Sequence, residues 1–458
     1  MKTPRKLPLL LSALATAPAL IGQEHPNIVF FLVDDMGIGD ISVYGQRYIR
    51  TPNLENLAQE GMVFTQAYAG CTVSAPSRGS LLTGKHTGHS YIRGNKDTPN
   101  ADGHVYDRAL KDGEVTLGEL LQKAGYHTAC IGKWGLGGPN TEGAPNNQGF
   151  DYFYGYLGQL NAHDHRPPFL HENNREIKLD GKVFAQDLLV EKAVKYLGER
   201  AKDKDKPFFL YFTPALPHAD LDIDEDERMA YNGQFLEKAV PSLQGYKPVD
   251  KPLSTYAAMV SRIDKDVQRL IDELEKNGQL DNTIFIFSSD NGTHKEGGHD
   301  PYFFDGNGPF RGTKRDLYEG GVRTPFIVRW PGVVKPGSVS YHISAFWDMY
   351  PTFAELTGQE LPVDTDGISI LPTLTGKGEQ KEHQYLYWEF EEEGGKRAVR
   401  VGDWKLIKLQ IKDPAKSYFE LYNIASDPGE QHNVAAEYPG LVERFAKYID
   451  NAHTPWVE

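Results

Sequence analysis

Continuous apolar runs constrain the fold of this 458-residue chain more than any other feature of its sequence. Residues 28–33, 208–212 and 284–287 consist wholly of apolar side chains, without the polar alternation of a half-exposed strand. Such runs are typical of parallel strands buried on both faces, and they alternate here with amphipathic segments of helical length. This alternation over residues 26–370 predicts a doubly wound α/β domain with a mostly parallel sheet.

Changes in pattern predict three segments along the chain. Residues 1–22 combine a basic start, an apolar stretch and small residues, which predicts a bacterial signal peptide and a periplasmic or secreted protein. The apolar stretch is too short to span a membrane comfortably, so we expect no stable membrane insertion. Residues 23–380 carry the α/β pattern. Residues 381–458 contain short strands and a closing amphipathic helix, which predict a smaller α+β subdomain with an antiparallel sheet.

Charge and cysteine content exclude some classes of protein. The formal net charge is −14, and removal of residues 1–22 would delete three cations and no carboxylate, leaving −17. A chain this acidic is a poor partner for nucleic acid. The two cysteines, Cys71 and Cys130, do not suggest a disulfide framework, and we expect them to be unpaired.

Oxygen-bearing side chains follow two of the predicted buried strands. Asp34 and Asp35 come directly after the first run, and Asp290 and Asn291 follow the run that ends near residue 289. Ligands in open α/β sheets bind beyond the carboxyl ends of the strands. Hard oxygen donors of this kind suit Ca²⁺ or Mg²⁺ rather than a soft metal. A solvated acidic turn is the structural alternative.

The stretch 70–84 places a hydroxyl group and an arginine near the start of a predicted helix. Pro76 suits the first turn, so Ser74 would lie at the helix entrance, where free N–H groups and the helix dipole favour an anion. Arg78 could bind two oxygens of a tetrahedral anion at once. The alternative is a helix-capping serine and a solvated surface arginine.

Three further groups strengthen the anion-site interpretation. Lys133 and His218 each follow a predicted strand, and Lys314 lies in a glycine-rich loop. A divalent ion and several cations around a hydroxyl residue are what displacement at an anionic tetrahedral centre requires.

These residues resemble a known family, the type I sulfatases of the alkaline-phosphatase-like superfamily. Ser74-x-Pro76-Ser77-Arg78 followed by Leu82-Thr83-Gly84 is similar to the signature of that family. The resemblance extends over essentially the whole chain after the predicted signal peptide, through Asp34-Asp35, Gly132-Lys133-Trp134, Pro217-His218, Asp290-Asn291-Gly292, Lys314 and the stretch 421–430.

The resemblance implies a sulfuric ester hydrolase whose nucleophile is made after translation. Ser74 would be oxidised to formylglycine (3-oxoalanine) by a maturation enzyme that accepts serine, and its hydrate would attack sulfur to form a sulfate hemiester. Loss of the second hydroxyl proton would then expel sulfate. The implied roles are Ca²⁺ binding, with Mg²⁺ less favoured, by Asp34, Asp35, Ser74, Asp290 and Asn291; support of the nucleophile by Arg78; sulfate binding by Lys133 and Lys314; and protonation of the leaving oxygen by His218.

One position departs from the family pattern. The family often has Gly-Lys-Trp-His-Leu-Gly, and here Gly135 replaces the histidine. The usual base for the elimination step is therefore missing. The sequence leaves four substitutes open, which are His163, His294, His86 and His89.

Histidines and arginines in loops near the predicted strand ends suggest the class of substrate. Together with tyrosine, tryptophan and asparagine neighbours they suit sugar hydroxyls and sulfate better than an aryl group. We therefore predict a sulfated mono-, oligo- or polysaccharide as substrate. The predicted substrate-binding residues are His86, His89, Arg93, His163, His294 and Arg323, with His165 and His299 in the same group of loops.

Two other functions remain open from the sequence. A phosphodiesterase or phosphonate hydrolase could share the fold, but its two-zinc forms have Asp-His where this chain has Asp290-Asn291. A non-catalytic carbohydrate-binding relative is the other alternative, because Gly135 and an unmodified Ser74 could both prevent turnover.

Overall fold

The computed structural model describes residues 25–203, 205–361 and 364–456, so the predicted signal peptide lies outside the described residues. The strands are β1 (Asn27–Val33), β2 (Met62–Phe64), β3 (Ala67–Tyr68), β4 (Asp97–Pro99), β5 (Val105–Asp107), β6 (His127–Lys133), β7 (Tyr152–Tyr156), β8 (Phe169–Glu172), β9 (Arg175–Lys178), β10 (Phe208–Thr213), β11 (Thr283–Ser289), β12 (Phe326–Arg329), β13 (Ser338–Ser340), β14 (Ser344–Ala345), β15 (Leu386–Phe390), β16 (Lys396–Val401), β17 (Trp404–Leu409) and β18 (Tyr418–Asn423). The helices are α1 (Pro52–Glu60), α2 (Ser74–Thr83), α3 (Leu117–Lys123), α4 (Gln159–Ala162), α5 (Ala185–Arg200), α6 (Glu225–Arg228), α7 (Pro252–Lys276), α8 (Glu319–Val322), α9 (Met349–Leu356), α10 (Leu371–Thr375) and α11 (Pro439–Ala452).

Ten strands form one large sheet in the order β13-β2-β12-β11-β1-β10-β6-β7-β8-β9. The central five, from β11 to β7, are parallel, and antiparallel pairs flank them on both sides. Every residue of β1, β10 and β11 is buried, as the apolar runs predicted. The predicted α/β class with a mostly parallel sheet is therefore confirmed.

Helices cover both faces of this sheet. Alternate side chains of β1 enter opposite cores, because successive residues of a strand point to opposite faces. Val29 and Phe31 pack in the core that contains α1, α5 and α7, whereas Phe30 and Leu32 pack in the core that contains α2, α3 and α9. Burying each such side chain contributes about 1.5–3 kcal/mol. Helix α2, which carries Ser74, is thereby packed directly against the sheet.

The sequence of residues 62–68 predicts a single strand, but the structure divides this segment in two. It forms two short strands, and β3 leaves the large sheet to pair with β14 in a separate two-stranded sheet. The break falls at Thr65, whose N–H bonds to the carbonyl of Ser340 and whose carbonyl accepts from the Arg323 guanidinium. The bond to Ser340 continues the pairing of β2 with β13, whereas the contact with Arg323 comes from a distant segment that the local pattern does not contain.

The C-terminal part forms a four-stranded antiparallel sheet, β15-β16-β17-β18, as predicted. Phe445 and Ile449 of α11 pack on one face of this sheet, and Trp347 and Cys71 of the larger part pack on the other. The exact boundary at residue 380 stays a prediction. Within the described residues, both cysteines are buried and free, and none of the helices has the length and apolar character that crossing a bilayer requires.

Candidate active site

The parallel strands deliver the predicted acidic residues to one edge of the sheet. Asp34 and Asp35 follow β1, and Asp290 follows the neighbouring strand β11, where its N–H bonds to the carbonyl of Val33 at 3.0 Å. One carboxylate oxygen from each aspartate lies within 4.8 Å of the others, and all three residues are fully buried. Asp35 has a φ of 64°, a strained conformation for a non-glycine residue and one that recurs at functional sites.

Ser74 lies beside this cluster at the first residue of α2. Its Oγ donates to Asp34 Oδ1 at 2.9 Å and lies 3.3 Å from Lys133 Nζ, which bonds to Asp34 Oδ2 at 2.5 Å. Burial raises the pKa of Asp34, but Lys133 and Arg78 outweigh that effect and hold it well below its usual value. The serine hydroxyl is therefore positioned between a carboxylate and an ammonium group, at the positive end of a helix dipole.

Arg78 is a buried part of the same network, so the surface-arginine alternative is wrong. Its Nε and Nη2 donate to Asp290 Oδ2 at 3.0 and 2.8 Å, and its Nη1 donates to the carbonyl of Lys133 at 2.9 Å. Burial and the nearby Asp34 raise the pKa of Asp290 to about 6, although Arg78 acts in the opposite direction. Arg78 thus joins the ends of β6 and β11.

Lys314 connects the acidic cluster to His218. Its Nζ donates to Asp35 Oδ2 at 2.7 Å, to Glu296 Oε2 at 2.8 Å and to His218 Nε2 at 3.1 Å. Burial and the charge on Lys314 lower the pKa of His218 well below its usual value. His218 is therefore a neutral imidazole here, with Nδ1–H donating to the carbonyl of Ala219 and Nε2 accepting from Lys314.

Two of the predicted substrate-binding histidines stack against His218. The ring of His163 lies 4.6 Å from it at 15°, and the ring of His294 lies 5.8 Å away at 16°. Burial lowers the pKa of His163 to about 4, and the charge on Lys133 adds to that effect. Of the two other histidines in those loops, His165 bonds to the carbonyl of His218 at 2.9 Å and His299 stacks on Tyr256.

Arg93 and Arg323 are held by carboxylates elsewhere in the fold. Arg93 bonds to Glu389 of the C-terminal sheet at 3.0 Å, and Arg323 lies 3.2 Å from Glu319. Both arginine side chains are nearly buried. Their guanidinium groups, which were predicted to bind substrate, are therefore already paired with carboxylates of the protein. The structure does not bring either arginine into the Ser74 network.

His86 and His89 form a separate cluster with Asp366. Their rings stack at 4.3 Å, and His89 Nδ1 bonds to Asp366 Oδ1 at 2.8 Å. His86 contacts the same oxygen at 3.6 Å and packs on Tyr387 of the C-terminal sheet. The structure therefore does not join these two histidines to the Ser74 network either.

Two residues near the site, Glu296 and Tyr246, belong to no motif that the sequence shows. Glu296 accepts from Lys314, and Lys314 and His294 hold its pKa at about 2 against the opposing effect of burial. Tyr246 bonds to Glu296 at 3.1 Å and packs on His163. A cleft of about 490 Å³ opens beside Lys314 and is lined by Gln244, Tyr246, Lys295, Glu296, Thr313, Lys314, Arg315, Asp316 and Glu393.

The oxygen-rich cluster fits a hard divalent cation. Asn291 Nδ2 donates to Asp35 Oδ1 at 2.7 Å, which leaves Asn291 Oδ1 buried without a hydrogen-bond partner. An orphaned amide oxygen beside three buried carboxylates is a donor set that Ca²⁺ or Mg²⁺ would satisfy.

Fold and site together define a class of protein, the enzymes that act on anionic tetrahedral groups at the edge of a parallel sheet. The model of the sulfatase family matches residues 26–359, and the model of the N-sulphoglucosamine sulphohydrolase C-terminal region matches residues 310–452. The chain therefore belongs to the sulfatase family, within the alkaline-phosphatase-like superfamily, and is a sulfuric ester hydrolase.

Similar proteins cover nearly the whole chain. An N-acetylglucosamine-6-O-sulfatase of Bacteroides thetaiotaomicron is 30% identical, over 95% of this chain and 88% of its own length. An N-acetylgalactosamine-6-O-sulfatase of the same organism is 29% identical, over 94% of each chain. A solved structure of a protein in complex with its substrate, D-glucosamine-2-N,6-O-disulfate, has a TM-score of 0.74 and 26% identity, over 93% of this chain and 99% of that chain.

Proposed function

We propose that this protein hydrolyses sulfate esters of carbohydrates with a nucleophile derived from Ser74. The observation that carries the proposal is the position of Ser74 Oγ, 2.9 Å from Asp34 and 3.3 Å from Lys133 at the start of α2. An unmodified serine hydroxyl is a weak nucleophile. Oxidation to formylglycine supplies a hydrate with one hydroxyl to attack sulfur and a second whose proton is lost when sulfate departs. This maturation requires an enzyme that accepts serine.

A divalent cation, for which Ca²⁺ is the best candidate, belongs to the proposal. Asp34, Asp35, Asp290 and Asn291 would hold it together with residue 74, and it would supply positive charge against the sulfate oxygens. Lys133 and Lys314 are already turned toward these carboxylates, so they are placed to bind sulfate oxygens next to the cation. Their ammonium groups stabilise the negative charge that develops as the S–O bond breaks.

Protonation of the leaving alcohol falls to His218 and Lys314. The two side chains share a hydrogen bond of 3.1 Å, and Lys314 stays protonated because Asp35 and Glu296 raise its pKa against the effect of burial. The proton given to the leaving oxygen therefore comes from the Lys314 ammonium, and the neutral His218, whose Nε2 accepts from Lys314, holds that ammonium in position. For the base of the elimination step, stacking against His218 favours His163 and His294 over His86 and His89.

A sulfated sugar is the substrate class that the surroundings support. The cleft beside Lys314 combines an aromatic ring, Tyr246, with Lys295 and Arg315, which suits a sugar ring carrying anionic substituents. The relatives named for N-acetylhexosamine 6-O-sulfates agree with this class. Export to the periplasm or the medium, where sulfated polysaccharides are met, is part of the same proposal and depends on residues 1–22.

Mass spectrometry of the peptide that contains Ser74 tests the proposal directly. The protein should be produced with a serine-accepting maturation enzyme and assayed for sulfate release from a panel of defined sulfated oligosaccharides. We expect a loss of two hydrogens at Ser74 in active preparations and not in preparations made without that enzyme. An unmodified serine in active protein would refute the mechanism. Binding of sugars without any sulfate release would instead support a non-catalytic carbohydrate-binding protein.

A further inference from the structure

Gly135 leaves space that another side chain fills. It has a φ of +73°, and a Cβ at this position would lie 2.4 Å from the amide nitrogen of Gln159. The end of the Gln159 side chain therefore occupies the volume into which any residue larger than glycine at 135 would project. Position 135 is also where the sequence departs from the pattern of its family.

Gln159 is close to the catalytic network through the segments on both sides of it. It begins α4 and lies one helical turn before His163, so the two side chains are on the same face, and His163 stacks on His218. On the other side, Gly135 follows Lys133 by two residues, and Lys133 Nζ lies 3.3 Å from Ser74 Oγ. Gln159 thus lies next to the two segments that carry Lys133 and His163.

Two buried polar atoms in this region have no hydrogen-bond partner. They are Nε2 of Gln159, a donor, and Oδ1 of Asp107, an acceptor. The two residues are 6% and 3% exposed, and Asp107 Oδ2 accepts the backbone N–H of Gln159 at 2.8 Å. Buried polar atoms are rarely left unpaired, so a donor and an acceptor on two residues in direct contact form a site for a small hydroxyl-bearing group, either a water or a ligand hydroxyl.

We propose that Gln159 and Asp107 bind hydroxyl groups of the sugar whose sulfate is held at Ser74. A hydroxyl group accepts from Gln159 Nε2 and donates to Oδ1 of the ionised Asp107, whereas a sulfate oxygen only accepts and cannot satisfy that carboxylate. Glycine at position 135 leaves the room that the Gln159 amide needs. This inference rests on the proposed function, because the hydroxyl belongs to the substrate of that reaction.

Replacing Gln159 with leucine removes the donor at similar size. Asp107→Asn replaces the free acceptor by an N–H donor, because the one remaining oxygen is needed for the backbone N–H of Gln159. We expect kcat/KM for the sulfated sugar that the wild type hydrolyses to fall about 10- to 100-fold in each variant, mainly through a higher KM. Protection of the fold by inorganic sulfate, measured as a thermal shift, should stay equal to that of the wild type, because Lys133 and Lys314 are unchanged. A kcat/KM within twofold of wild type in both variants would overturn the subsite.

Gly135→Ala supplies an independent test, because a methyl group there must displace the Gln159 amide. We expect Gly135→Ala to lose activity as Gln159→Ala does, and the double variant to lose no more than Gln159→Ala alone. Because alanine at a φ of +73° also strains the backbone, the comparison is made on the KM of folded protein, and additive increases in KM would contradict the shared space.

Isothermal titration of the wild type and Gln159→Leu with the unsulfated sugars of the same panel separates this inference from the proposed function. Absence of sulfate release by the wild type would refute the proposed function alone. Equal sugar affinities in the two proteins, or no sugar affinity in either, would refute the subsite.

Discussion

Replacing Arg78 with methionine tests how much the buried ion pair between Arg78 and Asp290 contributes to the free energy of unfolding. Arg78 and Asp290 are both fully buried, and the guanidinium donates two hydrogen bonds to that carboxylate and one to the carbonyl of Lys133. Methionine has a comparable length and no charge. In Arg78→Met the carboxylate of Asp290 therefore keeps its burial and loses both of these donors.

The expected cost follows from this geometry. Removing one partner of a buried ion pair costs about 3–5 kcal/mol, because the remaining charge stays in a poorly solvated place. We expect the free energy of unfolding to fall by that amount in EDTA. Millimolar Ca²⁺ should reduce the loss, since a cation held by the three aspartates would compensate Asp290.

Urea unfolding followed by circular dichroism measures this difference, with Arg175→Met as the matched control. Arg175 also pairs with a carboxylate, Glu172, at 2.9 Å, but its side chain is 73% exposed. Exposed pairs contribute about 0–1 kcal/mol, so the control should lose no more than that. Equal losses in the two variants would refute the argument that burial gives the Arg78–Asp290 pair its importance.

Three further predictions concern the nucleophile, the cation and pH. Ser74→Ala should abolish sulfate release while changing the free energy of unfolding by no more than about 1–2 kcal/mol, because one hydroxyl hydrogen bond is lost; sulfate release by purified Ser74→Ala would show that another group attacks sulfur. Ca²⁺ at 100 times its dissociation constant should stabilise the wild type by about 2.7 kcal/mol, and Asp35→Asn should reduce this gain in a thermal-shift titration; an unchanged gain would place the ion elsewhere. Burial raises the pKa of Asp107 to about 7, above its unfolded value of 3.8. The folded state therefore binds the proton of this carboxyl group more tightly than the unfolded state does. The contribution of Asp107 to the free energy of unfolding declines as pH rises from 3.8 to 7. The decline is at most about 1.4 kcal/mol per pH unit. Urea unfolding at pH 4.5 and 7 should show a smaller change in the free energy of unfolding for Asp107→Asn than for the wild type. Identical changes in the two proteins would refute the pKa shift.

Local patterns in the sequence were sufficient to predict the centre of the fold and the position of the acidic cluster and Ser74 in the candidate site. The apolar run of β1 predicted a strand buried on both faces, and its end predicted where Asp34 and Asp35 would lie. This works because parallel neighbours bring their carboxyl ends to one edge of the sheet. The helical pattern that begins near Ser74 likewise placed the hydroxyl group at a helix entrance.

Tertiary structure alone decided which loop residues reach the site. The sequence predicted Arg93 and Arg323 as substrate-binding residues on the same grounds as His163 and His294. In the structure the two arginines form ion pairs with Glu389 and Glu319. Arg93 and Glu389 are 296 positions apart, so no local pattern contains that pairing.

The contact between Gly135 and Gln159 has the same origin. The sequence alone determined that a side chain is missing at position 135, and only the packed structure determined which residue takes its place. Periodicity records how a segment is buried, whereas partners and shared volumes depend on how distant segments are brought together.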